Sequence, residues 1–116
     1  MALGKRYEIY FPLEYNPDEN GNRRPIEKEK LAQTQKELWE EFRGVTIAPE
    51  SEHQALKGFW LDESDQLFMD TVLPAIVYVT DINKADHFFR QAITIYKERF
   101  QQKEIFILSW IVERIE

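Results

Sequence analysis

Two histidines, a run of carboxylates and a pair of arginines are the side chains whose types and spacing suit chemistry in these 116 residues. His53 sits in the polar run E-S-E-H-Q, where Glu50 and Glu52 favour its imidazolium form. As a neutral imidazole it would serve as a general base or a metal ligand near pH 7. His87 stands beside Phe88 near the start of a predicted helix and reads as an ordinary surface or half-buried residue. Asp62, Glu63, Asp65 and Asp70 fall within nine positions, and oxygen clusters of this kind bind hard cations. The segment D-E-S-D-Q lacks the glycine and closing glutamate of a calcium loop, so Asp62, Glu63 and Asp65 read as a solvated turn and no metal is expected. Asp70 differs because it interrupts the apolar pattern of a strand, where a carboxylate needs a partner. That partner is expected to be Thr46, Tyr78 or a backbone amide; the alternative is an acid–base site shared by Asp70, His53 and Tyr78.

Arg23 and Arg24 precede a helix whose positive end suits an anion. No glycine-rich cradle accompanies them, and Lys28 and Lys30 alternate with Glu27 and Glu29. Trp60 and Trp110, with Tyr7, Tyr10 and Tyr78, suit an apolar pocket or an interface. There is no catalytic triad, phosphate loop, dinucleotide fingerprint or zinc pattern, so no cofactor is implied.

The elements that must hold these residues follow from periodicity. Tyr7 to Leu13 alternates as a strand with Tyr7, Ile9 and Phe11 on one face and Glu8 and Tyr10 on the other. Glu14 to Arg24, rich in turn formers, is a loop. Pro25 opens a helix with a stripe of Leu31, Leu38 and Phe42, and Gly44 is its expected stop. Val45 to Ala48 is short and β-branched. Gly58 to Leu61 and Gln66 to Thr80 form a hairpin, with a bulge or bend expected at Pro74. Asp81 or Asn83 caps a second helix in which Ala85, Phe88, Phe89, Ala92, Ile93, Tyr96 and Phe100 recur at helical spacing. Lys103 to Ile115 closes the chain as a strand apolar on both faces: Ile105, Ile107, Ser109 and Ile111 against Phe106, Leu108, Trp110 and Val112.

This length fits a single domain over residues 1–116. Strand, helix, strand, strand, helix, strand is the order of a ferredoxin-like βαββαβ fold of the α+β class, one antiparallel sheet with two helices on one face. The closing strand then falls at a sheet edge although its composition is that of an interior. A homodimer, through edges or open sheet faces, resolves the conflict; cover by the long hairpin is the alternative.

A net charge of −6 opposes binding to nucleic acid and anionic membranes. No apolar run reaches spanning length, and the expected location is the cytoplasm. The chain lacks cysteine, which excludes disulfides and thiolate chemistry.

Through the Gly44–Thr46 step, the Gly58–Leu61 strand and the acidic Asp70, the chain resembles a loose group of small bacterial domains with a ferredoxin-like arrangement. The resemblance implies that fold and carries no activity. The expected function is therefore a binding or regulatory module that self-associates and takes a protein or small ligand. A small dimeric enzyme with a pocket around Asp70, Trp60 and His53, or an acidic inhibitor of a basic nuclease or toxin, is the alternative.

Overall fold

The computed structural model describes residues 2–47 and 56–116. Alternation at Tyr7, Ile9 and Phe11 belongs to a longer strand, Ala2–Pro12 (β1). Its first half escapes a propensity reading because Gly4 is a poor strand former. Gly4 is nevertheless required, since a Cβ there would collide with the Tyr78 ring and the Val79 carbonyl oxygen.

The first helix, α1, spans Lys28–Phe42. Pro25 lies before it in an isolated bridge with Glu14 instead of in its first turn, and the left-handed residue that ends it is Arg43 (φ 66°), one position ahead of the expected Gly44. Thr34 fills the buried position between Leu31 and Leu38. Its hydroxyl donates to the Lys30 carbonyl at 2.8 Å and accepts from Arg99 at 2.7 Å, which satisfies a polar group that is fully out of solvent.

The second helix, α2, spans Ile82–Arg99. Asp81 caps it by accepting from the Lys84 backbone N–H at 3.2 Å.

Among the described residues three strand segments lie between α1 and α2: Thr46–Ile47 (β2), Leu56–Leu61 (β3) and the 13-residue Leu67–Val79 (β4). The last strand, β5, is Ile107–Arg114. All pairings are antiparallel. β1 lies between β4 and β5, while β2 and β3 both pair with the other edge of β4. The protein is thus α+β, with two helices and a five-strand sheet among the described residues. It departs from a clean six-element pattern because two pieces share the place of the second strand.

Pro74 explains where that place divides. No bulge or bend interrupts the register, since Pro74 pairs with Tyr10 in an unbroken ladder. The Tyr10 N–H donates to the carbonyl of Phe106, just ahead of β5, while the Leu13 N–H reaches Thr71 on β4. In an antiparallel ladder this alternation turns the missing Pro74 N–H away from β1. It faces the outer edge between Ala75, the last partner of β2, and Val72, the first partner of β3. The missing donor therefore costs the described ladder nothing.

Odd-numbered positions of β1 and β4 carry the core. Tyr7 stacks on Phe89 with ring centroids 4.4 Å apart, Phe11 meets Tyr96 edge-on at 5.4 Å, and Phe42 stacks on Phe89 at 5.3 Å. Residues from both helices thus join one buried cluster with β1 and β4. Within β5 and its approach only Ile105 and Ile107 reach this cluster; Ile111 on the same face is exposed.

Beyond Val72, β4 has outrun β1 and pairs with β3 alone. This hairpin continues out of the sheet as an arm, in keeping with overall extents of 52 × 31 × 27 Å. It leaves Leu108 and Trp110 on β5 exposed, so it does not supply the cover that is one reading of the sequence.

Candidate functional site

Even-numbered positions of β1, β4 and β5 form the sheet face that turns away from the helices. Register places Trp110, Arg6 and Tyr78 in one row and Leu108, Glu8 and Ile76 in the next. Tyr10 follows opposite Pro74, then Pro12 beside Val72 and Leu56. Over these four rows the face is apolar and aromatic apart from a polar line along β1.

In that line Arg6 Nη2 donates to Glu8 Oε1 at 2.8 Å and Tyr10 Oη donates to Glu8 Oε2 at 2.5 Å. The Tyr10 hydroxyl first, and the Arg6 guanidinium second, hold the Glu8 carboxyl below the usual carboxylate range. The same bond raises the Tyr10 hydroxyl, with burial adding to it. The Arg6 guanidinium lies 5.5 Å from the centre of the Trp110 ring. Two polar atoms on this face, Arg6 Nε and the Tyr78 hydroxyl, are buried with no partner among the described residues.

At the root of the arm, Asp70 accepts from the Trp60 indole N–H at 2.8 Å and from Arg23 at 3.1 Å. Trp60 in turn stacks on Phe68 at 4.6 Å. Thr46 and Tyr78, the side chains expected to partner Asp70, do not reach it; the true partners lie 10 and 47 residues away in sequence. Asp70 and Tyr78 are eight residues apart on one strand, or about 26 Å at about 3.3 Å per residue. Trp60 opposite Phe68 and Trp110 opposite Arg6 are separated by a still longer run of the sheet. The candidate residues thus fall into two groups, one at each end of β4. His53 lies outside the described residues, and His87 is an exposed residue of α2.

The arginine pair diverges. Arg23 turns to Asp70, whereas Arg24 lies over the Tyr15 ring at 4.3 Å and 3.6 Å from Glu27. Both border a shallow polar hollow of about 300 Å³ with Tyr15, Asp18 and Asn22. Asp62 is occupied as a turn residue, accepting from the Ser64 N–H and hydroxyl and from the Gln66 N–H at 2.7–2.9 Å. These bonds, led by the Ser64 hydroxyl, lower its pKa. Among the described residues no group of three metal-ligating side chains converges.

Two polar clusters belong to the helix side. Asp86 accepts from the Tyr7 hydroxyl and from Lys5; these bonds, Tyr7 first, lower the Asp86 carboxyl, while burial followed by the Asp86 bond raises the Tyr7 hydroxyl. Tyr15 donates to Glu27 and accepts from Lys30, which also donates to the Arg99 carbonyl at 3.0 Å. A second hollow, about 390 Å³, runs between α1 and α2 beside Glu37, Tyr96 and Arg99.

Compared with protein-family models, with curated proteins and with solved structures, the chain matches none. The site therefore rests on its own geometry. Arg6 and Glu8 were not singled out from sequence, because one arginine and one glutamate on a strand are ordinary. The available signal is that an internal strand carries opposite charges on the face its helices leave open.

Proposed function

We propose that the protein is a self-associating binding module whose working surface is the open sheet face. One observation carries this reading. Of the fifteen large hydrophobic residues exposed among the described positions, only Trp39 and Ile95 lie on helices. The other thirteen lie on strands or directly beside them, with Trp110, Leu108, Leu56 and Trp60 on the open face. Exposed apolar side chains on that face, Trp110 and Leu108 at the β5 edge and Leu56 and Trp60 at the arm, are the mark of an interaction site. The edge position of β5 points the same way, since it pairs with β1 alone.

The arrangement we read is ferredoxin-like with its second strand divided at Pro74. The strand order β5, β1, β4, then β2 and β3 together, supports it, and so do the helices on one side. The negative net charge leaves a protein or small ligand as the further partner, in preference to nucleic acid.

The test is the solution mass by light scattering or sedimentation at micromolar concentration. Two chains per particle is the expected result. A mass of one chain, 13.9 kDa, refutes self-association.

A further inference from the structure

We propose that a second copy seats face to face on the first, with β1 crossing β1 in the antiparallel sense and Arg6 of each copy over Glu8 of the other. This rests on the self-association reading above and names its geometry.

Arg6 and Glu8 are half-buried on the central strand, flanked by Trp110 and Leu108 on one side and Tyr78 and Ile76 on the other. Among the described residues the Arg6 guanidinium is engaged through Nη2, with Glu8, and its Nε has no partner. A homodimer interface of this kind is isologous, so each residue must meet what its own copy presents. A two-fold axis running along β1 stacks Arg6 on Arg6 and Glu8 on Glu8, which is repulsive.

A two-fold axis perpendicular to β1 in the plane between the sheets, level with Tyr7, reverses the strand. It sets Arg6 on the partner's Glu8 at both ends. The same operation lays Trp110 on the partner's Leu108 and Tyr78 on the partner's Ile76, because these residues occupy the same two rows. The charge order on β1 therefore selects one of the two packings.

The area is that of a small interface. About that axis all of β1 and about five positions each of β4 and β5 overlap the partner, which at about 4.8 Å by about 3.3 Å per residue gives a planar footprint of about 330 Å². Side-chain relief from Trp110, Leu108 and Tyr10 raises the accessible area above this, below the ~800 Å² per partner of a standard interface. The axis also sends the two hairpin arms out at opposite ends of the pair.

Charge exchange tests this. Arg6→Glu alone leaves two acids on the strand and Glu8→Arg alone leaves two bases, so each variant should dissociate about 100-fold or more readily than wild type. An equimolar mixture of the two should recover the two-chain mass as a mixed pair, and the double exchange in one chain should recover it by itself. Recovery in the mixture also shows that both variants are folded. Should either variant lose its circular dichroism, Leu108→Lys at an exposed position decides: a one-chain mass supports the packing and a two-chain mass overturns it. Single-charge variants that pair as tightly as wild type overturn this face and favour the β5 edge, while self-association stands. A wild-type mass of one chain overturns self-association itself.

Discussion

Replacing Gly4 by alanine should destabilise the protein although glycine is normally the worse strand residue. A glycine inside a strand costs about 0.5–1 kcal/mol relative to alanine, so the bare expectation is a gain. The structure reverses the sign. The new methyl carbon would stand 2.5 Å from the Tyr78 ring and closer still to the Val79 carbonyl oxygen, against ordinary contacts of about 3.5–4.0 Å. The ring or the backbone of β4 must then move by about 1 Å. Overpacking of this kind costs about 1–3 kcal/mol; set against the intrinsic gain, the net loss is up to about 2.5 kcal/mol. Gly58 is the matched control on β3, because its Cβ would meet only the Asp70 carbonyl oxygen, at 4.0 Å. Gly58→Ala should gain up to about 1 kcal/mol or leave stability unchanged. Urea unfolding at one fixed protein concentration reads both, with the slope compared between variants. A Gly4→Ala midpoint at or above wild type would refute the packing of Tyr78 over β1.

Asp70→Ala should remove acceptors from Trp60 and Arg23 together, at a cost of about 1–3 kcal/mol confined to the arm. Limited proteolysis at the turn between Leu61 and Leu67 should speed up, and an unchanged cleavage rate would count against this anchoring. The Tyr7–Asp86 pair sets a pH window with two sides. The Asp86 pKa is depressed on folding, so its contribution is full above the ordinary carboxylate value of 3.8 and disappears as pH falls below it. The Tyr7 pKa is raised, so its contribution is full below 10.0 and is lost in alkali. Asp86→Asn should narrow the stability difference between pH 7 and pH 3.5, measured by unfolding midpoints, and equal differences in both proteins would contradict the assignment.

What was legible in the sequence was local. The helical period of α2 and the cap at Asp81 are written within a few residues of each other, and both stand in the structure. Asp70 was visible as an anomaly because a carboxylate breaks a strand pattern within one or two positions. Its partners were not visible, since Arg23 approaches from a loop 47 residues away and no local rule links the two. Pro74 signals a bulge or bend in the sequence and makes neither in the structure, because its consequence depends on which edge its nitrogen faces, and that is set by the alternation of bonds with β1. The N-terminal half of β1 was missed for a related reason: Gly4 looks like a breaker until the Tyr78 ring is placed beside it.

The length of β4 has a mechanical consequence. A single strand is clamped between neighbours over its inner half and carries a two-stranded ribbon over its outer half, which makes it a cantilever. Its outer amides are divided by parity. Those of Phe68 and Asp70 point to β3, whereas those of Leu67 and Met69 point to the side that β1 has vacated. Along one continuous strand, amide exchange should therefore be slow at every described position from Ala75 to Val79 except where β2 ends, and should alternate between slow and fast toward the tip. Any partner that grips the arm would load the core directly through that same strand.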